Sequence, residues 1–98
     1  MGSGFTSGNP TATAVAAGTT SNTVLKTTTG CLGLLLITAA GTGAVTVYDS
    51  AATNTGTIIG ITPENPEVGS TYAFNTPAVY GLTVAGGSTV PGFTVTYY

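Results

Sequence analysis

Residues 31–38, Cys31-Leu32-Gly33-Leu34-Leu35-Leu36-Ile37-Thr38, form the stretch whose reading decides the fold. The apolar run covers roughly ten residues before Ala39-Ala40-Gly41, and a membrane-spanning helix needs about 20. Its length and its flanking glycines mark a buried strand. A strand points alternate side chains to opposite faces. On that alternation Leu32, Leu34 and Leu36 share one face, and Leu35 and Ile37 share the other. An antiparallel strand with one wet face alternates apolar with polar residues, and this one is apolar on both. One set must fill a core. The other, assigned to Leu35 and Ile37, either forms an outer patch that meets another protein or lies beneath the amino-terminal segment or the Pro63–Glu67 loop.

Outward from this strand the chain reads as more strands punctuated by turns. Upstream, Thr23–Thr28 alternates around Val24 and Lys26. Downstream, Ala44–Tyr48, Thr57–Thr62, Thr71–Phe74, Val79–Val84 and Phe93–Tyr98 are predicted strands. Between them lie Gly41-Thr42-Gly43, the polar stretch Asp49 to Gly56, Pro63-Glu64-Asn65-Pro66-Glu67, Asn75-Thr76-Pro77, and Gly86-Gly87-Ser88 with Pro91-Gly92. Proline cannot donate to a ladder and restrains the residue before it. Turn signals every 8–12 residues or so indicate an antiparallel sandwich. The expected fold is therefore all-β, a single antiparallel β-sandwich, jelly-roll or immunoglobulin-like, of about seven strands over residues 23–98.

Residues 1–22 read as a flexible arm rich in Gly, Ser, Thr, Ala and Asn, with Phe5 and Val15 as its bulky apolar anchors. Ala12-Thr13-Ala14-Val15-Ala16 alternates weakly and would become a strand if offered an edge. At the other end, Phe93, Val95 and Tyr97 share one strand face, and Thr94, Thr96 and Tyr98 the other. Tyrosine is enriched at protein interfaces. Phe5, Val15, Leu35, Ile37, Tyr97 and Tyr98 are therefore the candidate interface residues.

Composition narrows the function. The 98 residues suffice for one domain, and a domain of that size has a thin core. Only 4% of residues are charged, against about 25% in an ordinary domain. Disorder is not the reason, because 42% are hydrophobic and mean hydropathy is positive. Charge is depleted at the buried centre of interfaces, so the chain is expected to work covered by copies of itself or by a partner. One cation, Lys26, and a net charge of −2 leave no footprint for nucleic acid or for anionic lipid.

Little chemistry is on offer, and the chain is read as a non-enzyme. There is no histidine and no tryptophan. Cys31 stands alone, so it forms no internal disulfide. It has no imidazole to activate it and is expected to be buried and inert. Glu64 and Glu67 are a carboxylate pair of the kind that flanks a glycosidic bond; in a proline-bracketed loop they read as solvated charges. Zinc needs Cys and His in sets, and three acids make no calcium cage. No cofactor, metal or phosphate loop is expected. The start Met1-Gly2-Ser3-Gly4-Phe5-Thr6 fits the permissive myristoylation pattern and equally a plain Gly/Ser leader. Paired threonines such as Thr94/Thr96 share no repeat period, which argues against an ice-binding face.

The stretch Thr42–Gly60, TGAVTVYDSAATNTGTIIG, followed by Tyr72-Ala73-Phe74, Tyr80-Gly81-Leu82-Thr83-Val84 and the closing Phe93-Thr94-Val95-Thr96-Tyr97, resembles small β-sandwich proteins encoded in the structural regions of tailed bacteriophages. It is most similar to capsid decoration, or cement, proteins and to related modules of fibres and tails. The likeness covers about residues 30–98 and lies in strand-and-turn patterns; the amino-terminal arm is outside it. It implies a virion component on the outer capsid surface, made in the host cytoplasm and commonly trimeric, that clamps neighbouring major capsid protein subunits. A host-recognition module of a fibre or tail is the alternative. No catalytic or ligand residue is carried over.

Overall fold

The computed structural model describes residues 10–53 and 55–98. Eight strands follow in chain order: β1 Thr11–Val15, β2 Thr23–Lys26, β3 Gly30–Ala39, β4 Thr46–Asp49, β5 Thr57–Ile61, β6 Thr71–Ala78, β7 Leu82–Val84 and β8 Gly92–Tyr97. No helix occurs among the described residues, so none is long and apolar enough to cross a membrane. β-Branched and aromatic residues on a half-buried pleat favour this outcome, as does the scarcity of helix formers.

The strands form two four-stranded antiparallel sheets, ordered β1-β8-β3-β6 and β2-β7-β4-β5. The pairing is nested: first with eighth, second with seventh, third with sixth, fourth with fifth. The two inner faces enclose Leu32, Leu35, Ile37, Phe93 and Val95 from one sheet, and Val47, Leu82 and Val84 from the other, with Val45 and Val90 from the connections. Each such side chain contributes roughly 1.5–3 kcal/mol by leaving water. Among the described residues the two buried polar side chains are both paired. Thr62 Oγ1 accepts from the Val45 N–H at 3.0 Å and donates to the Pro63 carbonyl at 3.0 Å. Thr83 Oγ1 donates to the Ser50 carbonyl at 2.8 Å.

Several sequence expectations about the strands change. There are eight strands rather than seven, because Thr11–Val15, within the segment read as an arm, finds an edge on β8 and pairs with it. The strand expected to stop at Phe74 runs to Ala78. Asn75 takes a left-handed φ of 48° and absorbs a bulge, and Pro77 sits on an edge strand, where its missing N–H costs no ladder bond. Simple alternation along β3 also fails. Leu32 faces Tyr97, but Leu35 faces Val95, so Gly33 and Leu34 together oppose Thr96 and the phase resets. Leu32, Leu35 and Ile37 consequently all point inward, and Leu34 points out.

Candidate functional site

The β3 bulge is what builds the outer face. Thr96 replaces the missing ladder bonds: its Oγ1 accepts from the Leu34 N–H at 3.0 Å and donates to the Leu34 carbonyl at 3.1 Å. Glycine is required beside it, since a Cβ on Gly33 would stand 2.9 Å from the Thr96 carbonyl oxygen. Leu34 is thereby turned outward, 40% exposed.

The register sets its neighbours. Leu36 lies between Thr71 on β6 and Thr94 on β8; Leu34 faces Ala73; Ala12 and Ala14 on β1 face Thr96 and Thr94. The outer face of the β1-β8-β3-β6 sheet is thus mostly Ala, Thr and Leu, with Cys31 and Pro77 paired at one end. The four charged side chains belong to other elements, Lys26 to β2, Asp49 to β4, Glu64 and Glu67 to the β5–β6 connection, and of these Lys26 reaches the Cys31–Tyr98 end of this sheet.

The sequence candidates are dispersed. Leu35 and Ile37 are 0% and 1% exposed; they belong to the core, and the bulge gives Leu34 and Leu36 the outward role in their place. Val15 and Tyr97 are half-buried against the core, and the Tyr97 hydroxyl meets Thr13 Oγ1 at 3.2 Å. Tyr98 is half-buried and exchanges two backbone bonds with Cys31, at 2.9 and 3.2 Å. Phe5 lies outside the described residues. Cys31, expected to be buried, is half-exposed. It precedes the bulge on the outward phase, opposite Pro77, and lines an open cavity of about 260 Å³ with Lys26, Thr29, Gly30 and Tyr98.

A second feature escaped the sequence. Asp49, read as the start of a polar loop, ends β4 and clasps the β6–β7 turn. Its carboxylate accepts from the N–H groups of Val79 at 3.0 Å, Tyr80 at 2.7 Å and Gly81 at 3.3 Å. The Val79 amide above all, with those of Tyr80 and Gly81, holds the carboxyl below its ordinary value of 3.8 against a weaker opposing effect of desolvation. Gly81 is needed there: at φ 154° a Cβ would meet the Lys26 carbonyl at 2.5 Å. The turn presents Val79 and Tyr80, 67% and 68% exposed, the most exposed large apolar side chains among the described residues. Asp49 lies 30 to 32 residues from its partners, which leaves no local motif to find.

Among the described residues no three of Cys, Asp and Glu gather as metal ligands. No family model, no curated protein and no solved structure matches this chain.

Proposed function

We propose that the chain is a structural virion component, a capsid decoration protein that stabilises a head shell by binding between major capsid protein subunits. The carrying observation is the uncharged outer face of the β1-β8-β3-β6 sheet. Such a face is poorly hydrated by ions and suits burial against protein. The nested strand order supports the jelly-roll over the immunoglobulin-like alternative, and jelly rolls serve in viral capsid and lectin domains. A fold by itself permits many functions; the uncharged face and the resemblance to phage decoration proteins narrow the reading. Mechanism is then mechanical, with no reacting group: weak contacts repeated over a lattice resist internal pressure by avidity.

Co-sedimentation with assembled phage heads lacking decoration tests this. Saturable binding that raises the temperature at which heads rupture is expected; absence of binding to heads overturns the proposal. One observation favours the alternative, a fibre or tail recognition module: the clasped turn offers Tyr80 as a rigid aromatic anchor. That reading expects adsorption to host cells that Tyr80→Ala abolishes, and no binding to heads.

A further inference from the structure

The edge of a sheet offers a row of unpaired N–H and C=O groups to any strand that fits, and proteins blunt such edges with charge, proline or bulges. This sandwich has four edges, β1 and β6 in one sheet, β2 and β5 in the other. Three are blunted. On β2 the register skips Leu25, and the strand ends in Lys26. On β5 the register skips Ile59. On β6 it skips Phe74 and Asn75, with Asn75 at φ 48°, and Pro77 follows. β1 carries none of these devices. Thr11 to Val15 face Tyr97 to Phe93 in five consecutive pairs without a break, and the strand holds no charge, proline or glycine. Among the described residues nothing pairs with its outer edge.

We propose that β1 pairs antiparallel with β1 of a second copy about a two-fold axis at Thr13, joining two four-stranded sheets into one of eight. The inference rests on the reading that this chain works packed against protein, and it names one such contact. A second copy is the occupant because the strand complements itself. With Thr13 on the axis, Ala12 lies opposite Ala14 of the second copy and Thr11 opposite its Val15. Small meets small, β-branched meets β-branched, and no like charges face each other. Opposed residues point to the same side of a sheet, so the uncharged outer face continues across the junction. An isologous contact of this kind closes at two subunits rather than growing a filament.

Charge exchange tests the register. The full chain is weighed by sedimentation equilibrium over a micromolar series, beside two double variants at the exposed positions 12 and 14. Ala12→Lys with Ala14→Lys sets like charges opposite; Ala12→Lys with Ala14→Glu sets unlike charges opposite and serves as the folding control. The expected result is a wild-type dimer, association weakened by at least about tenfold for the like-charge pair, and recovery of the dimer in the unlike pair. A wild-type monomer, a trimer, or a mass that the like-charge pair leaves unchanged overturns the inference. Head binding is scored separately. A dimer that ignores heads removes the shell reading and keeps the strand pairing; a monomer that decorates heads does the reverse.

Discussion

The two sides of β3 carry nearly the same side chains and do different work. Inward, Leu32, Leu35 and Ile37 are closed off from water and hold the sheets together. Outward, Leu34 and Leu36 lie among Thr71, Ala73, Thr94 and Thr96, and Leu34 is 40% exposed. The difference teaches that leucine content does not measure core size here. A single extra residue at Gly33 decides which leucines stabilise the fold and which face outward.

That contrast can be broken first from the inside. Leu35→Ala, or Phe93→Ala beside it, removes a fully buried side chain and is expected to cost about 3–5 kcal/mol. In a domain whose total stability is on the order of 5–15 kcal/mol, urea melts will show a much lower midpoint. An unchanged midpoint would mean that the sheets are held elsewhere.

Next is the device that separates the two sides. Thr96→Val keeps the shape of the side chain and removes both bonds to Leu34, for an expected loss of about 1 kcal/mol. The sharper readout is amide exchange, which should accelerate at Leu34 and Leu35 before the rest of β3. If protection there is unaltered, Thr96 does not pin the bulge.

The Asp49 clasp extends the test to pH. Its folded-state pKa is depressed by the Val79, Tyr80 and Gly81 amides, so its stabilisation is complete above the unfolded value of 3.8 and is lost as pH falls through the lower folded value. Wild type should lose stability on acidification below that point. Asp49→Asn should lower the melting temperature at neutral pH and flatten the acid dependence; a variant with the wild-type acid profile would mean that the clasp does not set it.

The smallest effect is expected outside. Leu34→Thr should change stability by no more than about 0.5 kcal/mol while weakening binding to heads. Equal loss of stability from Leu34→Thr and Leu35→Ala would erase the distinction between the two faces.

The sequence alone determined the class of this protein. Threonine- and valine-rich runs between Gly and Pro turns can only be short strands, because their period is two and no helical stripe exists. Four charged residues in 98 already limited how much charge any fold could place on the surface, since charge content is additive and needs no fold to be counted. The alternation also paired Phe93, Val95 and Tyr97 on one face, as the structure has them. What only the tertiary structure decided were matters of pairing. The strand at Thr11–Val15 exists because β8 supplies an edge, so its own weak pattern underdetermined it. Leu35 and Ile37 went to the core, and Leu34 outward, because a bulge depends on how Thr96 across the ladder meets Gly33. The Asp49 clasp joins residues 30 apart that carry no local signal. Side-chain period is a property of one strand; register, bulges and edges are properties of two, and they appear only when the partner is in place.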